Sequence, residues 1–256
     1  MMLSYIKRTK SDKLFLLIIG FLFFTFISLF SQREKVDIII DVGYNHHPIS
    51  PYIFGRNNSL SDNPGLPVHA DQWQKFKDAG LRFFRETGGE KVSKYNWRQK
   101  LTSYPNWYNN VYPCDWQSEA RSLQDNLPQA TGMWGFPLTG KAAKTKKHSF
   151  NDWDFNQSQW WEGVHQNLAG GGSPQKEGGK RAQVEGDPEL YLTDWPVDSS
   201  VSILDHWFDG KGKKIKQSSC RYWSMDNEPE KWGETHDDIF NEQPSVEMYL
   251  KRYLEL

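Results

Sequence analysis

The chain has 256 residues, a formal net charge of −1 and 25% charged residues. That balance suits a globular protein and leaves no large basic or acidic field for nucleic acid or a charged membrane surface. Cys114 and Cys220, the 2 cysteines, are too few for a disulfide framework and lack metal-site spacing; they either pair or stay as buried thiols.

The N-terminus carries Lys7, Arg8, Lys10 and Lys13 ahead of an uncharged run from Leu14 to Phe30, followed by "SQREK". A basic flank before such a run is a targeting signal, either a signal peptide or an uncleaved anchor. Residues 1–31 are therefore expected to direct the remainder out of the cytoplasm, leaving it secreted, periplasmic or membrane-anchored. Contact with a membrane is expected only through this segment.

Val36 to Val42, "VDIIIDV", reads as a β-branched strand. "YIFG" (52–55) begins a second strand after Pro48 and Pro51. "ADQWQKFKDAG" (70–80) has helical spacing, with Gly80 placed just past its end, and "LRFFRE" (81–86) follows as a strand. Strand, helix and strand with a short return is the unit that builds parallel sheets. It recurs: "QSEARSLQDNL" (117–127) as helix before the strand-like "ATGMWGFPL" (130–138), then "SSVSILDHWFDG" (199–210), with a serine N-cap, before the strand "RYWSM" (221–225). "PSVEMYLKRYLEL" (244–256) sets Val246, Tyr249, Leu250, Tyr253 and Leu254 on one amphipathic helical stripe. Between the third of these strands and its helix lies a polar stretch, roughly 141–199, containing "KTKKH", "NDWDFNQSQWW" and "GGGSPQKEGG". The lysine run reads as solvated surface, and the aromatic part as a functional loop or a segment without fixed structure.

Tryptophan is in excess, at 12 beside 11 Tyr and 15 Phe. Two readings fit: a large aromatic core, or a carbohydrate cleft in which flat rings stack on sugars. Trp107, Trp116, Trp153, Trp160, Trp161 and Trp195 stand among polar loop residues, where one apolar face and one polar handle suit a wet binding surface.

The chemistry concentrates in "YWSMDNEPEKWGETHDD" (222–238). Glu228 follows a strand directly, the position where parallel barrels carry catalytic groups. Asn227 offers a donor and an acceptor, and Pro229 stops the strand from continuing. A glutamate here acts as general acid where an apolar surround raises its pKa, for which Trp223 and Trp232 are candidates. The competing reading is a surface turn, since Asp-Asn-Glu-Pro all favour turns.

This segment closely resembles the acid/base segment of glycoside hydrolase family 44, whose members cleave β-1,4-glucans. "HPISPYIFGRN" (47–57), "RETGGEKVSKYNW" (85–97) and "ELYLTDWPVDSSVSILDHWF" (189–208) are similar to further stretches of that family, in order and spacing. The resemblance runs from about Ile49 to Leu256, with one departure: Glu90 stands where the family carries Asn, which leaves local roles there open. It implies an α/β fold, a TIM (β/α)8 barrel of which about the first four βα units lie in residues 49–256. It also implies a flanking β-sandwich, to which residues 32–48 give the first strand. It further implies a retaining mechanism with Glu228 as general acid/base, no cofactor beyond an optional structural cation, and a β-glucan polysaccharide as partner. Asn227, Trp97, Trp232 and His236 are the substrate-binding candidates.

Residues 229–256, 28 of them, follow Glu228, whereas the family's nucleophilic glutamate lies after the seventh strand. The chain is accordingly expected to be the front part of an enzyme whose partner is the C-terminal half of the barrel. Glu86 beside Arg85 is expected to form a strand-end ion pair. His46 and His47 are expected to be a loop pair rather than metal ligands. Asp115, Trp116 and Asp152 to Asp154 read equally as cleft lining or loop. Two functions remain: an exported endo-β-1,4-glucanase or xyloglucanase, and a non-catalytic sugar-binding protein with an aromatic cleft.

Overall fold

The computed structural model describes residues 36–44, 47–58, 60, 68–86, 88–103, 110–149, 169–170, 172–174, 182–209 and 215–256. The targeting segment 1–31, His46, Trp107 and the whole of "NDWDFNQSQWW" lie outside them. Met1–Pro48 and Ile49–Leu256 are separate compact units.

In the first unit Val36, Ile38, Ile39, Ile40 and Val42 are exposed and belong to no strand. The strand expected over 36–42, and with it a sandwich strand in 32–48, is not formed among the described residues. β-branched residues favour an extended backbone, but a strand exists only as one member of a hydrogen-bonded pair.

The second unit is built on a four-stranded sheet in the order β1 (Gly55–Asn57), β2 (Phe83–Arg85), β5 (Thr131–Phe136), β10 (Tyr222–Met225). All neighbours run parallel. Spatial order follows chain order, so every crossover advances in one direction and no strand returns to the far side of the first. Helices α1 (Ala70–Asp78), α2 (Trp116–Asn126) and α3 (Val197–Phe208) form the crossovers, and α5 (Val246–Leu254) follows β10. The four expected strand–helix steps are all present.

Local chemistry explains the boundaries. Gly80 (φ +67°) ends α1 in a left-handed conformation that costs glycine little. A Cβ on Gly55 would stand 2.8 Å from the Phe83 carbonyl, so the β1–β2 approach needs glycine there. The first strand begins later than "YIFG" because Ser50 caps, and Pro51 opens, a 3-10 turn over Pro51–Ile53. Helix α3 also starts earlier than its serines: Pro196 precedes its first turn without a side-chain cap. Ser200 instead donates to the Pro137 carbonyl at 3.0 Å.

Alternation along the strands separates two faces. Phe84, Trp134, Phe136 and Trp223 join the main core with Trp73 and Phe76 of α1, Leu123 of α2 and Trp207 of α3. On the other face Phe83 and Tyr222 pack together at 5.6 Å between ring centres, with Tyr52 against both. That face is less covered: Tyr222 is 38% exposed. The stripe of α5 is open too, with Val246, Leu250, Tyr253 and Leu254 exposed.

The described residues of the polar stretch after β5 include short antiparallel pairs. β6 (Lys141–Ala143) pairs with β9 (Leu192–Asp194), and β7 (Ser173–Pro174) with β8 (Ala182–Val184). β3 (Leu101–Ser103) pairs with β4 (Val111–Pro113) in the same manner. Val111, Ala143, Ala169, Tyr191 and Leu192 form a second small core.

The asymmetry between the buried face and α5 has a direct check. Phe84→Ala should lower the unfolding free energy by about 3–5 kcal/mol, because Phe84 is fully buried. Leu254→Ala should change it by less than about 0.5 kcal/mol, because Leu254 is 79% exposed. Urea denaturation of the two variants measures both.

Candidate active site

Polar side chains gather where the sheet's strands end. Arg85, the last residue of β2, uses its fork to join neighbours: Nη2 donates to Asn227 Oδ1 at 2.8 Å and Nη1 to Asn57 Oδ1 at 3.2 Å. Glu86 takes another direction, and its Oε2 accepts from the Leu60 backbone N–H at 3.1 Å. The expected Arg85–Glu86 pairing is thus replaced by separate partners, since consecutive strand residues point to opposite faces.

Beyond β10 the chain makes a strained turn. Asp226 and Glu228 have φ of 63° and 41°, in a left-handed region that costs a non-glycine residue roughly 1–2 kcal/mol each. Hydrogen bonds to the buried Asp226 hold it. Its carboxylate accepts from Ser93 Oγ at 2.5 Å, from the Leu138 N–H at 2.6 Å and from the Asn227 N–H at 2.7 Å. Burial pushes this carboxyl up to about 6, and the three donors work against that rise.

Glu228 projects from the turn, its side chain 44% exposed and 3.3 Å from Lys231 Nζ. An exposed pair of this kind adds little stability. Asn227 is buried, and its Nδ2 has no hydrogen-bond partner among the described residues. Below them, Trp232 Nε1 donates to the Asn227 carbonyl at 3.0 Å. Gln243 clasps the far side, donating to the Pro229 carbonyl at 2.7 Å and accepting from the Gly233 N–H at 3.0 Å.

The other three binding candidates are packed against their neighbours. Trp232 is fully buried in α4 (Trp232–Thr235), stacked on Phe240 at 5.3 Å, so it supports the turn from beneath. His236 is also fully buried. Desolvation, with the nearby Lys94 charge, holds its pKa well below the usual histidine value, and neither ring nitrogen has a partner among the described residues. Trp97 is spent against α3: its Nε1 donates to the Ser199 carbonyl at 2.7 Å, its ring stacks on His206, and Arg98 lies over it. The apolar surround expected for Glu228 is likewise not provided by Trp223, which stacks on Phe136 within the core. Of the loop tryptophans, Trp116 and Trp195 are buried. Trp107, Trp153, Trp160 and Trp161, with Asp152 and Asp154, lie outside the described residues. Asp115 caps α2 by accepting from the Ser118 N–H. His47 is exposed, and Glu90 is half-buried in a 3-10 turn.

A second buried polar group lies under the rim. Lys94 Nζ meets both Asp238 oxygens at 2.6 Å with both side chains fully buried, and Tyr191 donates to Asp238 at 2.7 Å. Burial lowers the Lys94 pKa against the opposing pull of Asp238. Among the described residues, the two buried oxygens of Asp237 beside it meet no side-chain donor and no donor from a neighbouring residue. Burial, then the Asp238 charge, raises its carboxyl to about 7. Sequence reading gave no sign of this group: a lysine between serine and tyrosine reads as surface until the fold encloses it. Both cysteines are buried and free. Among the described residues, no cluster of three or more His, Cys, Asp or Glu is arranged to hold a metal ion. Nor is any described helix long and apolar enough to cross a membrane.

A parallel α/β sheet with its polar groups gathered beyond the strand ends is the architecture of ligand-handling and catalytic domains. The sequence profile of glycoside hydrolase family 44 matches residues 103–256, which include β5, β10 and Glu228. The chain belongs to that family. In fold it resembles CelM2, a bifunctional glucanase-xylanase from a metagenome library, with a TM-score of 0.59 and 18% identity. The match covers 82% of this chain and 39% of CelM2. A Paenibacillus polymyxa family 44 xyloglucanase, solved with xyloglucan, matches at 19% identity and a TM-score of 0.46, over 82% of this chain and 38% of its own. The chain therefore spans about two fifths of the length of these structures. No curated protein matches it.

Asp237 gives a pH test. Its folded-state pKa is raised, so the stability linked to its protonated form is present below about pH 4 and is lost as pH rises through about 7. Asp237→Asn should therefore raise the unfolding free energy by something on the order of 4 kcal/mol at pH 8 and by almost nothing at pH 4. Thermal melts at the two pH values measure the difference.

Proposed function

We propose that this chain carries the acid/base half of an exported family 44 glycoside hydrolase that cleaves β-1,4-glucan backbones with retention. The observation that carries the reading is the position of Glu228. It stands on a braced turn just past a parallel strand, half-exposed, inside the segment matched by the family profile. In a retaining mechanism such a residue protonates the leaving oxygen and then deprotonates the attacking water. Asn227 supplies an unmatched amide donor for a sugar hydroxyl, with its carbonyl end fixed by Arg85.

The second carboxylate would come from further βα units that close the sheet into a (β/α)8 barrel. Three features support closure: β1 and β10 are both edge strands, the face bearing Tyr222 is under-covered, and the α5 stripe is open. Closure would also place apolar residues around Glu228, which the described residues do not provide. A sugar-binding protein without catalysis is the less supported reading, because the described rings named for its cleft, Trp116 and Trp195, are buried.

The 256 residues alone should release no reducing ends from carboxymethyl-cellulose or xyloglucan. In the barrel-completed enzyme, Glu228→Ala should slow natural glucans about 10²–10⁴-fold more than substrates with activated leaving groups. Azide should partly restore turnover on the activated substrate. Equal slowing of both substrates without azide rescue would remove Glu228 from the acid/base role.

A further inference from the structure

Resting on the reading of Glu228 as acid/base, we infer that Asp226 is the positioning residue of this site. Its carboxylate ties together the segments that follow β2, β5 and β10, and so holds the turn that presents Asn227 and Glu228.

The geometry is specific. Ser93 lies in the segment after β2, Leu138 two residues past β5, and Asn227 two past β10; all three donate to one buried carboxylate. Each donor is itself held. The Ser93 carbonyl accepts from Thr139 Oγ at 2.6 Å, and the Leu138 carbonyl accepts from Arg252 Nη1 at 2.5 Å. Asn227 is fixed through its side chain by Arg85. Helix α5 closes the far side, with Tyr249 donating to the Met225 carbonyl at 2.9 Å. The charged and titratable groups facing Asp226 are Arg252 and Tyr249 from α5. Arg85 acts from β2 through Asn227, and Glu228 with Lys231 lies on its own turn.

Acid catalysis fails on small displacements: moving a catalytic group by about 1 Å can cost roughly 10²-fold. A left-handed glutamate has no intrinsic reason to stay in place, so the bonds to its predecessor must hold it. Asparagine at 226 has one accepting oxygen. Its amide can donate to Ser93 Oγ once that hydroxyl rotates, which leaves one of the two backbone N–H groups unsatisfied. Alanine leaves both buried and unpaired.

Amide hydrogen exchange of the 256-residue chain tests the contact independently of catalysis. Asp226→Ala should speed exchange at the Leu138 and Asn227 amides about tenfold or more. Asp226→Asn should speed it at one of them, and Glu228→Gln at neither. Unchanged exchange at both amides in the Ala variant, with β5 and β10 still protected, would overturn the inference. Should the Ala variant not fold, the Asn variant decides alone: protection at both amides would overturn the inference. In the barrel-completed enzyme, Asp226→Asn should lower kcat on natural glucan roughly 10–10²-fold with KM nearly unchanged. If Glu228→Ala shows its acid/base signature while Asp226→Asn and Asp226→Ala keep wild-type kcat, positioning fails and the function stands. If Glu228→Ala lacks the signature while exchange responds as expected, the function fails and the structural role of Asp226 stands.

Discussion

A single buried carboxylate, that of Asp226, accepts hydrogen bonds from residues that lie beyond three different strands of the sheet. A parallel sheet aligns its strands but leaves their carboxyl ends to diverge into separate loops. Here the loops after β2, β5 and β10 converge on this residue. The cost of burying the charge is offset by two backbone donors, one hydroxyl and the nearby Arg252, so a carboxyl raised to about 6 still ionises near neutrality. The strain of two left-handed residues is borne by the same bonds.

Around that anchor the rim is layered by accessibility. Glu228 is exposed, Asn227 and Asp226 are buried behind it, and Trp232 and His236 are fully enclosed beneath. The Lys94–Asp238 pair lies deeper and joins the insertion strand region at Tyr191 to the segment after α4. Removing one member of such a pair leaves an uncompensated charge, so it fixes geometry more than it adds stability. The solvent-accessible carboxylate is kept at the tip, and polar bonds that would be weakened by water are kept below it.

Much of the fold was legible in sequence because each strand–helix step carries its own local signals. Gly80, the apolar spacing of α1 and α3, and the β-rich "RYWSM" each act within a few residues. The place of Glu228 just past a strand was legible from "RYWSM" and the turn residues that follow it. Trp97, Trp232 and His236 are residue types that bind sugars or fill cores equally well, and only packing decides between them. Val36–Val42 has strand composition without a described neighbour to pair with. Ser93, Lys94 and Asp238 act over separations of more than 130 residues, which no local pattern encodes.

The most direct measurement is a crystal structure of the Asp226→Ala variant. If Asp226 holds the site, the four-strand sheet will keep its register, while residues 226–228 leave the left-handed conformation and Asn227 parts from Arg85. An unaltered turn, with Asn227 still 2.8 Å from Arg85 and Glu228 in place, would contradict it.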